Sequence, residues 1–520
     1  MNCHGSSRAP VGLAASGTEP MSLVKLALIF LAAHVATAIY FLFDRAPGTA
    51  AALYGLPLDD AWIHMVYARS LAALQGFAYN PGQLETGSTS PLWAILLAPA
   101  AFLARAFGIS VVVPAKVIGI GTGLAASLGG ARAARALGLG QAAQVVVGLA
   151  IAFDPGLAFA QVSGMEVMLA AALALWTVAE LAAERIWSAA IAAALAPLAR
   201  PEMMLIALPV LAAIEWRMHR QRARPAMRLL VLVPLLVGVG GWMLYCQLVT
   251  GYPLPGTFYA KFKSQPEIFS HNVVLIVGQV LPAWPWFARG LGFGLWGVGG
   301  FVLWRRGLPG VLAATFPVAY LLAAASSQYI SQAWPFYWQR YWLPALPFIL
   351  LSVTAGAAHL VSWAWQKRRA SWAPARAMVA ALLILGPLVA LPSAVGRSAN
   401  LYAWNCQNID ELNVAMAKWL RDHAAPGETI AVTDAGAARY FGEHPVLDLM
   451  GLNNHRLLHR DGATAAALAN INLVASFPAL VPHLRTSSAW QPIHRVTTSH
   501  LTICDCPQSE LVAYRRVEPR

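Results

Sequence analysis

The chain has 520 residues, 58% of them hydrophobic and only 11% charged, with a mean hydropathy of +0.57. That composition excludes an ordinary soluble globular protein and makes the bilayer the main solvent. Nor does the net charge of +13 indicate nucleic-acid binding: residues 397–520 hold 11 Lys and Arg against 11 Asp and Glu, so the whole excess lies among the apolar segments, as a positive-inside bias places it.

Residues 1–22 are polar and Gly/Ser-rich, and no small-residue cleavage site clearly follows, so they read as a cytoplasmic tail before an uncleaved first span at 23–43. Further apolar stretches lie at 112–131, 142–158, 165–183, 229–249, 286–304, 308–327, 343–365 and 376–396, with a shorter pair at 187–199 and 201–216. Lipid leaves exposed backbone groups unsatisfied, so these must be helices. Cytoplasmic loops are expected at the basic clusters: Arg132 and Arg135; Arg185; Arg217, Arg220, Arg222, Arg224 and Arg228; Arg305 and Arg306; and Lys367, Arg368 and Arg369. Alternation between them, with Lys25 inside, leaves residues 397–520 outside. Segment 91–107 does not fit the alternation and reads as re-entrant or interfacial. The expected fold is an α-helical polytopic membrane protein of about 11 spans at 23–396, with a large first outer loop at 44–90.

The tail reads as a small extracytoplasmic α/β domain. Thr429 to Thr433 and Pro445 to Leu449 are strand candidates around an Asp434-Ala435-Gly436 turn, and Leu473 to Ser476 and Arg495 to Cys504 are two more. Cys406 could pair there with Cys504 or Cys506, while the CxC pair without a His cluster is a poor zinc motif.

Several polar groups fall on the outer side of this topology. Asp59 and Asp60 open a helix after Leu56-Pro57-Leu58, where they can act chemically or simply favour the helix start, with Ile63, Tyr67 and Leu71 laid along the headgroups. Glu85 to Trp93 offers the hydroxyls of Ser88 and Thr89 before an apolar run, a geometry that suits either a helix start at Ser90-Pro91 or a phosphate. Glu166, Arg200 and Glu202 are ionisable groups at span ends, either a structural pair or a site. Residues 251–261 are irregular and end in Tyr259-Ala260-Lys261, and Arg340 stands among aromatics against the charge bias. Their convergence on one side favours a site for an anionic lipid headgroup. A transport pathway would place such groups near mid-membrane with repeat symmetry, which the sequence lacks.

At these residues the chain resembles the GT-C superfamily of polyprenyl-phosphate-sugar glycosyltransferases, and within it the bacterial arabinofuranosyltransferase-like and mannosyltransferase-like membrane proteins. The matching pieces, in order along most of the chain, are DDAWI at 59–63, GSTSPLW at 87–93, SGMEV at 163–167, ARPE at 199–202, PGTFYAK at 255–261, RYWLP at 340–344, DAG at 434–436 and VLDLMGLNNH at 446–455. The resemblance implies a polyprenyl-phosphate-linked sugar donor, a glycan, lipid or protein acceptor, and a periplasmic C-terminal domain in a bacterial inner membrane protein. It implies an acidic residue of the first outer loop as base or acceptor-positioning group. Asp59 aligns best, with Asp60 beside it where the family commonly has Asp-Glu or Asp-x-Asp. Lys261, Arg340 and Arg200 are then the donor-phosphate candidates, and Glu166, Glu202, Ser88, Thr89 and Tyr259 the substrate-binding ones. Asp60 would raise the pKa of Asp59, and transfer would proceed with inversion. Paired carboxylates also suit Mg²⁺ or Mn²⁺, with Asp59, Asp60 and His64, or Glu166, as ligands. The rival readings are a lipid transporter or flippase, which needs no base, and a non-catalytic envelope assembly subunit.

Overall fold

The computed structural model describes residues 21–43, 51–261, 266–281, 286–327, 330, 335–366, 373–459, 467–503 and 509–517. Five of its helices are long and apolar enough to cross a bilayer: Leu23–Leu42, Val112–Ala136, Pro225–Thr250, Leu308–Ala325 and Leu343–Trp363. A sixth follows if Gln141–Phe153 and Pro155–Val162, bent by 61°, count as one span. The bend has a local cause. Pro155 cannot donate to the preceding turn, and Asp154 restarts the helix by accepting from the Gly156 and Leu157 amides at 2.9 and 3.0 Å.

The expected count of about 11 therefore leans on shorter helices as well. Val167–Ala182 and Ile186–Ala199 have 16 and 14 residues. At 1.5 Å per residue they reach only about 24 and 21 Å, short of a hydrocarbon core of about 30 Å. Residues 91–107 form one 17-residue helix, started at Ser90-Pro91 and ended by Gly108 with φ of 65°.

Three consecutive helices share an arrangement that positions the site. Glu166 precedes Val167–Ala182, Arg200 follows Ile186–Ala199, and Glu202 stands just before Met204–Arg220. At the opposite ends of these helices acidic residues meet the basic clusters, two of which are reached from neighbouring helices: Glu180 pairs with Arg132 of Val112–Ala136, Glu215 with Arg228 of Pro225–Leu235, and Glu184 with Arg217 at 3.0 Å. Sequence reading of those clusters saw the cations and missed their acidic partners.

Residues 430–516 contribute a five-stranded sheet in the order β4-β3-β5-β7-β6, with β3 Ile430–Val432, β4 Val446–Asp448, β5 Leu473–Ser476, β6 Trp490–Thr497 and β7 Glu510–Arg516. β3 pairs in parallel with β4 and β5, and β7 runs antiparallel to both β5 and β6. The short central strands are buried on both faces, hence their continuous apolar runs. Two expectations, one for a strand and one for a turn, need correction. The segment expected at Arg495 to Cys504 is instead β6, which begins at Trp490 and carries Pro492, tolerated because β6 is an edge strand. The Asp434-Ala435-Gly436 turn is the start of a helix, Ala435–Gly442. Sequence reading also missed β7 and a hairpin of β1 Ala78–Asn80 and β2 Gln83–Leu84, which the Asn80-Pro81-Gly82 signal marks. Cys504 and Cys506 lie outside the described residues, and with them the expected pairing of Cys406.

One face of this sheet packs on the Asp59–Ala72 helix. Ile63, Val66 and Tyr67 share an apolar cluster with Leu412, Met416, Ile430 and Val432, so Ile63 and Tyr67 are covered by protein.

Candidate functional site

The seam between the Asp59–Ala72 helix and the sheet fixes the first outer loop. Asp59 does not cap its own helix, whose N-cap is Leu58. Its carboxylate instead accepts from the Gly436 and Ala437 amides at 2.6 and 2.8 Å, capping the Ala435–Gly442 helix from another part of the chain. Glycine is needed at 436 because a Cβ there would overlap the Asp59 carbonyl oxygen. Around this contact Tyr79 donates to the Ala435 carbonyl at 2.6 Å, Arg69 to the Tyr440 carbonyl at 2.8 Å, and Asn80 binds both backbone groups of Val446 at 2.9 Å. Burial, then the facing Asp434 carboxylate, hold the Asp59 carboxyl well above its ordinary range, with Asp60 a smaller contributor than the sequence suggests.

A second set of bonds joins the 85–90 loop to residues 448–455. Tyr67 donates to Asn453 Oδ1 at 2.9 Å, and the Asn453 amide donates to Asp448 at 2.8 Å. His455 Nδ1 meets Glu85 at 3.1 Å, and the Gly256 amide donates to the Thr86 carbonyl and hydroxyl at 3.3 Å. Gly87 sits where a Cβ would overlap Asn453 Oδ1 and the Leu452 carbonyl.

Below this junction lies a cavity of about 260 Å³. Asp60, His64, Thr89, Glu166, Arg200, Glu202 and Arg340 line it, together with Ser90, Thr257, Phe258, Ser327, Tyr341 and Leu452. Arg340 is 2% exposed and reaches Asp60 Oδ2 from Nη2 at 2.5 Å. Its guanidinium lies 4.4 Å from the Tyr337 ring centre and 5.1 Å from that of Tyr341. Glu166 takes Arg200 Nη1 on one oxygen at 2.7 Å and faces His64 Nε2 with the other at 3.2 Å, while Arg200 Nη2 meets Glu202 at 3.4 Å. The ion pairs leave polar atoms over. Arg340 Nε and Nη1, Arg200 Nε, Glu202 Oε2, His64 Nδ1, Ser90 Oγ and Thr257 Oγ1 are buried without a hydrogen-bond partner among the described residues. Such groups are costly unless something binds them.

The structure thus brings Asp60, Thr89, Glu166, Arg200, Glu202 and Arg340 into one wall. It sets Asp59 in the seam and Tyr259 against Tyr252 and His459, with ring centres 5.6 and 5.0 Å away. Ser88 is buried beside the wall, its Oγ without a partner among the described residues. The Lys261 side chain lies outside the described residues. Ser90, Thr257 and Tyr341 stand inside quoted motifs without having been chosen, and Ser327 follows the apolar Leu308–Ala325 helix as a hydroxyl that could have been noticed. The proposed metal ligands do not converge: Asp59 faces amides, Asp60 faces Arg340 and His64 faces Glu166. Among the described residues no group of three or more His, Cys, Asp or Glu is placed to hold an ion.

Residues 401–510 match a domain family described only as a domain of unknown function, DUF8728. No curated protein matches the sequence. Among solved structures the chain is similar to ArnT from Cupriavidus metallidurans bound to undecaprenyl phosphate, at 15% identity and a TM-score of 0.58, covering 96% of this chain and 100% of that one. It is also similar to the archaeal oligosaccharyltransferase AglB from Archaeoglobus fulgidus in complex with an inhibitory peptide and a dolichol-phosphate, at 12% identity and a TM-score of 0.52, covering 88% of this chain and 69% of that one. Both are GT-C superfamily glycosyltransferases, and this chain has their fold.

Proposed function

We propose that the protein moves a sugar from a polyprenyl-phosphate donor to a glycan, lipid or protein acceptor at the outer face of a bacterial cytoplasmic membrane. In this reading residues 23–396 form the membrane module, with about 11 crossings, and residues 397–520 an outer domain. The observation that carries the proposal is Arg340, a buried guanidinium that holds Asp60 through Nη2 while Nε and Nη1 have no partner among the described residues. A fixed planar donor of that kind suits a phosphate that gains charge as it leaves. Arg200 adds a second cation, and Lys261 stays a candidate because its neighbours Thr257 and Phe258 line the cavity.

The chemistry follows from these groups. The acceptor oxygen attacks the anomeric carbon, the bond to the phosphate oxygen breaks with its electron pair passing to the phosphate, and the configuration inverts. Arg340 bridges the departing phosphate and Asp60. We assign the acceptor proton to Asp60 rather than Asp59, since the Asp59 oxygens are occupied by two amides while Asp60 lines the cavity.

The test is transfer of radiolabelled sugar from polyprenyl-phosphate donors by the full chain in lipid nanodiscs, comparing wild type, Asp60→Asn and Asp59→Asn at equal folded yield. Donor-dependent transfer lost in Asp60→Asn and kept in Asp59→Asn is expected. The reverse pattern would overturn the assignment of the carboxylate. Absence of transfer from every donor, with lipid-phosphate binding intact in both variants, would replace the transferase with the transporter reading.

A further inference from the structure

The Asp59–Ala72 helix has cavities on two sides. Residues two apart on a helix are rotated by about 200°, so Asp60 and Trp62 point in nearly opposite directions. Trp62 lines a second cavity of about 340 Å³, which it shares with Ser110, Asp410, Lys418, Tyr440 and Phe441. Several of these residues lie within 401–510, the segment matched to a domain of unknown function.

The chemistry of this cavity is distinctive. Its aromatic wall is Trp62 with Tyr440 and Phe441, at ring-centre distances of 4.9 and 4.6 Å. Trp62 is 3% exposed, and its indole N–H has no hydrogen-bond partner among the described residues. Asp410 is half-buried at the start of a π-helical turn, Asp410–Val414, an irregularity that recurs at functional sites. Burial pushes the Asp410 carboxyl upward, and nearby Lys418 partly offsets this. Lys418 itself is exposed, its Nζ 5.8 Å from the Phe441 ring centre. Aromatic faces ringed by a carboxylate, an ammonium and an N–H donor suit a ligand with an apolar face and a rim of hydroxyls, which describes a sugar ring better than it does an acyl chain or a bare anion.

We propose that this second cavity binds a sugar ring of a glycan, its apolar face on the aromatic wall and its hydroxyls on Asp410, Lys418 and the Trp62 N–H. The binding stands on the cavity alone. Its use rests on the transferase reading: the ring bound here is a unit of the acceptor glycan remote from the hydroxyl that reacts, because the Asp59–Ala72 helix separates it from Asp60. The acceptor class is then a saccharide already carrying several units.

The experiment is saturation-transfer NMR on the full chain in nanodiscs, using as probes the methyl pyranosides of glucose, galactose, mannose and N-acetylglucosamine, methyl arabinofuranoside, and β-1,4-linked disaccharides. At least one probe should receive saturation, and Trp62→Phe, Asp410→Asn and Lys418→Ala should each weaken its binding roughly tenfold or more. Lys418→Ala changes an exposed side chain, so a folding defect cannot stand in for a binding one. Asp60→Asn, in the other cavity, should leave the signal unchanged. The proposal is overturned if no probe receives saturation, if the signal survives the Asp410 and Lys418 variants, or if Asp60→Asn alone removes it. Binding of polyprenyl phosphate in the same samples reports on the first cavity separately, so failure of either reading is visible without the other.

Discussion

The seam that docks the sheet and the wall of the first cavity use the same kinds of side chain on the same helix, yet they differ in how far their hydrogen bonds are completed. In the seam Asp59 meets two amides, Tyr67 an amide oxygen, Tyr79 and Arg69 backbone carbonyls, and Asn80 both groups of one residue. In the wall, two arginines, a histidine, a glutamate, a serine and a threonine keep buried polar atoms without partners among the described residues. A buried polar group that is satisfied stabilises the fold, and one that is not raises the energy of the ligand-free protein and lowers it on binding. Two adjacent aspartates thus fall on opposite sides of this difference, Asp59 in the seam and Asp60 in the wall.

The largest effect is expected at Arg340. Arg340→Gln keeps a planar donor and removes the charge, and transfer should fall by about 10²–10³, the range seen when a single group stabilising a transition-state charge is lost. Radiolabel transfer at equal folded yield is the measurement. A drop of less than a few-fold would mean that the wall does not hold the departing phosphate.

The seam responds to pH in a direction that can be worked out. Burial pushes the Asp448 and Asp434 carboxyls up to about 6. Their folded values lie above the unfolded ones, so protonation favours the folded state. The contribution is complete below the ordinary carboxylate range and is lost as pH rises through about 6. Thermal unfolding followed by intrinsic fluorescence should show the protein more stable at about pH 5 than at about pH 7, by on the order of 2 kcal/mol, and Asp448→Asn should flatten that slope.

Asp59→Asn tests the division itself. An amide in place of the carboxylate meets the Gly436 and Ala437 donors with one oxygen and one NH₂, so stability should fall by about 1–2 kcal/mol. Turnover per folded molecule should stay within a few-fold of wild type. Transfer abolished at unchanged melting temperature would move the chemistry from the wall into the seam.

Much of this was legible before any coordinates. Glu166, Arg200 and Glu202 stand out because charge at the ends of apolar segments is costly, and Arg340 because it lies on the outer side against the charge bias; both signals are local enough to read from a sequence. Which of Asp59 and Asp60 lines the cavity is not legible, since it depends on where the Ala435–Gly442 helix presents its amides, more than 370 residues away. Trp62 was masked in a different way: inside an apolar helix pattern an indole reads as core, and only the position of Asp410 and Tyr440 makes it a cavity wall. The β6 strand was misplaced because Pro492 argues against a strand until its edge position is known.

The smallest effect is the sharpest contrast. Ser90 and Thr257 are buried, and their hydroxyls have no hydrogen-bond partner among the described residues. In the seam, deleting a bonded group must cost stability. In the wall, Ser90→Ala and Thr257→Val remove an unsatisfied polar atom at nearly constant volume, so each should leave the melting temperature unchanged or raise stability by up to about 1 kcal/mol. If these hydroxyls complete their bonds on the donor, the same variants should weaken polyprenyl-phosphate-sugar binding several-fold, measured by competition with a labelled donor. A loss of stability in both would show that the hydroxyls already have partners in the ligand-free protein, and would remove unsatisfied polarity as the mark that separates the wall from the seam.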